Sequence, residues 1–161
     1  MDFDIATMLG LHTVISLAAL LAGIVVILGM VASLRLPEVT LAFLVTAALT
    51  SATGFLLPAE RWLPSHVIGL SSLLALGLAA IGRYGFGFAG GWRVVYVLGI
   101  VLATYLDAFV AVAQAFLKVP AVQALAPTQA EPPFAIAQGV VLAVFLGLAA
   151  LALRRFDPSP C

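Results

Sequence analysis

Five long apolar runs divide the chain, separated by short clusters of proline, glycine and charge. They cover roughly residues 10–33, 39–58, 65–82, 93–117 and 133–153. Each is close to the ~20 residues that an α-helix needs to cross hydrocarbon. The pattern predicts an all-α, polytopic membrane helix bundle with five transmembrane helices in a single domain, residues 1–161. A four-span arrangement would fold one run back as a re-entrant segment, but each run is long enough to span alone.

Composition agrees with the pattern. Of 161 residues, 64% are hydrophobic and 9% charged, with a mean hydropathy of +1.23. So few charges cannot cover a water-soluble core, and lipid has to act as the solvent for most of the chain. Seven basic and seven acidic residues cancel, which argues against a nucleic-acid partner or a polybasic lipid-binding tail. Cys161 is the single cysteine, so an internal disulfide and a multi-cysteine metal site are excluded. The opening MDFDIATMLG has no Lys or Arg and therefore lacks the basic region of a cleaved signal peptide; the first run is expected to stay as a helix.

Charge placement sets the expected orientation. Arg35, Arg83, Arg93, Arg154 and Arg155 fall on one side of the five spans, and only Arg61 and Lys118 on the other. The arginine-rich side is expected to be cytoplasmic, giving an N-outside, C-inside protein of the bacterial inner membrane. The prolines at 120, 127, 132 and 133 make Lys118–Phe134 a stiff outer loop, with a short interfacial helix at AVQAL. Trp62, Tyr84 and Trp92 lie at span ends as interfacial anchors. The stretch GRYGFGFAGGW follows no strand and reads as a turn rather than a phosphate loop.

Polar residues inside the spans are the candidates for chemistry, because lipid makes them costly. The two histidines, His12 and His66, stand in the first turns of spans one and three, at matched depth on the outer side. In span four, Thr104, Asp107, Ala111, Gln114 and Lys118 recur at spacings of three and four and share one face. Asp107 lies about 10 Å below Gln114 at the helical rise of ~1.5 Å per residue, near mid-membrane. Thr50, Thr53 and Gly54 add to this layer from span two and Gln138 from span five. The inner half is almost wholly apolar or small, so a continuous hydrophilic pore is not expected.

Two imidazoles on opposite helices satisfy the axial demands of haem b in electron transfer. On this reading His12 and His66 bind the iron, Gly69 and Gly54 leave room for the macrocycle, Arg61 and Lys118 meet its propionates, and Ser65 or Thr13 orients the ring nitrogens. A quinone or a redox protein would be the partner. Zinc would need a third ligand, for which Glu60 or Glu131 would have to reach from the loops. The alternative is an outward-facing polar pocket of His12, His66, Thr53, Asp107, Gln114 and Gln138 that binds a small solute or carries protons. A third reading is an accessory subunit of a larger membrane complex or a homo-oligomer. Enzymatic action on lipid or quinone, with His66 as base, lacks a serine nucleophile motif, a histidine-rich di-iron pattern or an acidic cluster.

The segments GLHTVISL (10–17), TSATGFLLP (50–58), LPSHVIGL (63–70) and KVPAVQALAPTQAEPPF (118–134) resemble a widespread group of small, uncharacterised bacterial integral membrane proteins. The resemblance runs over nearly the whole chain and is most specific in PSH and APTQAEPPF. It implies the membrane setting but no established activity. It also implies that an amide is usual at the position of Asp107.

Overall fold

The computed structural model describes residues 5–56 and 64–158, and every regular element among these is helical. The elements are α1 (Ile5–Val31), α2 (Pro37–Leu56), α3 (Pro64–Ala80), α4 (Trp92–Lys118), the short α5 (Pro120–Gln123) and α6 (Pro132–Arg155). A π-helical turn, Ile81–Gly85, prolongs α3. Among the described residues α1, α2, α4, α6 and α3 with its π-helical turn are long and apolar enough to cross a membrane, five candidate spans, so the chain is a multi-pass membrane protein.

Local chemistry explains where the helices start and stop. A proline opens α2, α3, α5 and α6, at the position where its missing N–H costs no intrahelical bond. α1 ends in a Schellman turn: Leu34 N donates to Gly29 O (2.8 Å) and Ser33 N to Met30 O (3.0 Å), with Ser33 at a φ of 57°. The Ser33 hydroxyl in turn accepts from the Asp157 amide at 3.1 Å, which holds the chain after α6 against the end of α1. The expected helix at AVQAL is present as α5 and the turns after it.

Helices α1 to α4 form a ring in which each packs on the next and α4 closes onto α1; α6 lies against α4 and α1. One end of the bundle carries the arginines. There Arg35 and Arg83 sit over the Phe88 ring at 5.5 and 5.8 Å, and Phe88 meets Tyr96 and Phe156 edge-on. Arg93 Nη1 donates to Leu153 O (3.0 Å) and Phe156 O (2.9 Å), satisfying carbonyls that the end of α6 leaves without an intrahelical partner. Phe88 takes a φ of 68° between Gly87 and Gly90, both also left-handed. The glycine-rich stretch is thus a turn that seats an aromatic plug.

The half of the bundle next to the arginines is close-packed. A Cβ on Gly23 would stand 2.4 Å from Thr104 Oγ1 and 2.7 Å from Phe43 Cε2, and one on Gly99 would stand 2.6 Å from Ala75 O. Only glycine lets α1 and α3 approach α4 this closely. Around these contacts Ile27, Met30, Phe43, Tyr96, Val97 and Ile100 are fully buried. Lipid is as apolar as these side chains, so dispersion and close fit hold the helices together here rather than escape from water. The opposite end carries the starts of α1, α3 and α6 and the ends of α2 and α4, and both histidines lie toward it.

Candidate functional site

Away from the glycine contacts the ring of four helices encloses a cavity of about 570 Å³ at the histidine end, within the range of roughly 300–1,000 Å³ common for small-molecule sites. All four ring helices line it. No lining residue lies deeper than Leu20, Thr50, Ser72 and Asp107. One turn further in, the Gly23–Thr104–Phe43 contact brings α1, α2 and α4 together. The cavity is a blind well.

Three consecutive residues of α2 touch both histidines. Thr53 Oγ1 lies 2.8 Å from His12 Nδ1, a Cβ on Gly54 would meet His12 Cε1 at 3.6 Å, and the Phe55 ring stacks on His66 with centroids 5.5 Å apart and planes 29° apart. The two rings therefore share a level. α1 already includes Ile5, so His12 stands two turns inside the helix and not in its first turn.

The hydrogen bond to His12 has a direction. Thr53 Oγ1 is also 2.7 Å from Leu49 O and 3.2 Å from Thr50 O, and these carbonyls can only accept. The hydroxyl proton goes to them, and His12 Nδ1–H donates to the hydroxyl oxygen. In the neutral ring this leaves Nε2 with its lone pair.

Helical hydroxyls elsewhere bond back to their own helix: Thr13 to Leu9 O, Ser16 to His12 O, Thr46 to Ala42 O and Thr104 to Ile100 O, all at 2.7–2.8 Å. Thr50 and Ser72 depart from this habit. Their oxygens are buried with no hydrogen-bond partner, as is Asp107 Oδ2. All three residues line the deep part of the cavity, one each from α2, α3 and α4. Lys118, exposed at the end of α4, lines its mouth, eleven residues or about 16 Å from Asp107 along the helix.

The residues singled out in the sequence divide as follows. His12, His66, Gly69, Asp107, Gln114 and Lys118 line the one cavity, and Thr53 supports it from behind His12. Gln138 lies elsewhere: its Nε2 donates to Phe109 O at 3.1 Å, tying α6 to α4. Thr13 turns to its own helix, so Thr53, and not Thr13, orients His12. A Cβ at Gly69 would stand in ordinary contact with the Phe55 ring at 3.4 Å, so Gly69 both lines the cavity and sits beside the α2–α3 contact. Arg61, Glu60 and Trp62 lie outside the described residues.

Among the described residues no group of three His, Cys, Asp or Glu side chains is placed to hold a metal ion. Glu131 instead accepts hydrogen bonds from the Thr128 hydroxyl (2.8 Å) and amide (3.3 Å). Phe55, Ser16, Ser51 and Ser72 are among the lining residues that the sequence reading passed over. A signal for Ser72 exists, since Ser65, His66, Gly69 and Ser72 recur at helical spacing on α3. No family model matches the chain, and neither a curated protein nor a solved structure matches it.

Proposed function

We propose that the protein binds a small amphipathic molecule in this cavity, from the outer face of a bacterial inner membrane. The observation that carries the reading is the convergence of His12, His66, Asp107, Gln114 and Lys118 from three helices on one well whose remaining lining is largely apolar. A few polar groups placed in apolar walls are the general pattern of small-molecule sites. The outward orientation rests on the arginines: Arg35, Arg83 and Arg93 gather at the opposite end, and basic residues favour the cytoplasmic side. The closed floor favours binding over conduction.

Thiol labelling tests this. In a Cys161→Ser background, Ser16→Cys, half-buried on the cavity lining, should react with a membrane-impermeant thiol reagent added outside right-side-out vesicles. Val97→Cys, fully buried in the close-packed half, should not. Absence of Ser16→Cys labelling from the outside would overturn the reading.

A second reading, haem b held by His12 and His66 for electron transfer to a quinone or redox protein, is favoured by one observation. The bond to Thr53 leaves His12 Nε2 unprotonated, which is the form an axial ligand takes. The two histidines come from α1 and α3, opposite members of the ring. Haem would supply one-electron chemistry, and the chain would supply the axial nitrogens and, at Lys118, a cation for a propionate. A reduced-minus-oxidised Soret change lost in His66→Ala supports it; a colourless preparation after expression with excess haem excludes it.

A further inference from the structure

The deep end of the well has a chemistry of its own. Thr50 is 9% exposed and Ser72 is 3% exposed, and each holds a hydroxyl oxygen with no partner. Asp107 adds a carboxyl oxygen that also lacks one. No cation of the described residues pairs with Asp107; the lysine on its own helix is about 16 Å away. Orphaned polar atoms in a low-dielectric setting are costly, and three from three helices around the deep end of one cavity call for a common partner.

We infer that the ligand carries a primary ammonium group, which enters head-first and is held by Asp107, Thr50 and Ser72. The match is one of valence and charge. An –NH₃⁺ group has three donors and no acceptor; the site offers three oxygens that can all accept, one of them on Asp107, the only acidic side chain of the lining among the described residues. Neither Thr50 nor Ser72 bonds back to a helix carbonyl, so both hydroxyl oxygens keep their lone pairs for an outside donor. Above this floor Leu17, Leu20, Val110 and the Phe55–His66 stack provide apolar and aromatic walls, suited to a hydrocarbon or aryl body. The assignment rests on the cavity being a binding site, as proposed above.

The test uses the full chain in a neutral detergent and three probes of one shape: benzylammonium, benzyl alcohol and benzoate, followed by titration calorimetry. Benzylammonium should bind roughly ten-fold or more tightly than benzyl alcohol, and benzoate should not bind. Asp107→Asn, which keeps the shape, should abolish that preference while the protein melts as a single folded species. Ser72→Ala, which removes one acceptor without touching charge, should weaken benzylammonium and leave benzyl alcohol unchanged. Equal binding of benzylammonium and benzyl alcohol, or a preference that survives in Asp107→Asn, would overturn the ammonium assignment and leave the binding cavity standing. Binding of none of the three, together with an unlabelled Ser16→Cys, would overturn both.

Discussion

Thr53 Oγ1 accepts from His12 Nδ1 at 2.8 Å while its own proton turns to Leu49 O at 2.7 Å, so one hydroxyl fixes both a turn of α2 and the tautomer of an imidazole on α1. Nitrogen NMR of the ¹⁵N-histidine-labelled protein should therefore show His12 protonated at Nδ1 and bare at Nε2 at neutral pH and above. In Thr53→Val, which keeps the branched shape, that fixed assignment should disappear, at a stability cost of about 1 kcal/mol. An unchanged His12 spectrum in the variant would show that another group sets the tautomer.

Gly23 sets the depth of the well. With Thr104 Oγ1 2.4 Å and Phe43 Cε2 2.7 Å from the position of a Cβ, Gly23→Ala should push α1 away from α4 and α2. Overpacking of this kind costs ~1–3 kcal/mol, seen as a lower Tm in detergent. Gly77, whose Cβ would meet nothing within 4 Å, is the control: Gly77→Ala should leave Tm unchanged or raise it.

Arg93 holds α6 by its last carbonyls, Leu153 O and Phe156 O. Hydrogen bonds from a charged donor are worth roughly 1.5–3 kcal/mol each. Arg93→Ala should expose the amides of the last turns of α6 to hydrogen exchange and destabilise the protein by about 2 kcal/mol. The cavity is lined by α1 to α4 alone, so ligand binding should survive. Loss of binding with α6 still protected would contradict this division of labour.

Outside the spans, Glu131 closes a small loop through Thr128. Slight desolvation would raise its pKa, but hydrogen bonds from the Thr128 hydroxyl and from nearby amides outweigh it and hold the carboxyl below its ordinary value of 4.5. A depressed carboxyl pKa stabilises the folded loop above the unfolded value and loses that contribution as pH falls through the folded one. The Thr128 amide should stay protected from exchange at pH 5 and above and lose protection progressively below 4.5. Glu131→Gln should flatten that dependence.

The spans were legible because hydrocarbon thickness imposes one length on every run, and little else in the sequence competes with that signal. The convergence on one cavity was legible for His12, His66, Asp107, Gln114 and Lys118, since each breaks an apolar run on a helix face. Partnerships were not. Periodicity places Thr53 and Gln138 in the same polar layer, yet Thr53 supports the cavity through His12 whereas Gln138 bonds to the backbone of α4. The azimuth of each helix decides between such outcomes, and that angle is set by glycine contacts such as Gly23 on Thr104. Gly69 shows the same limit: a missing side chain in the sequence does not tell which neighbouring ring, here Phe55, lies beside it.

The Gly23–Thr104–Phe43 seal gives the well a bottom, and its doorway lies toward the histidine end. A molecule that entered there would find no way on through the floor to the arginine end. Lys118 stands at that doorway, where a change of charge would alter the rates of both arrival and escape. The geometry is that of a berth rather than a corridor.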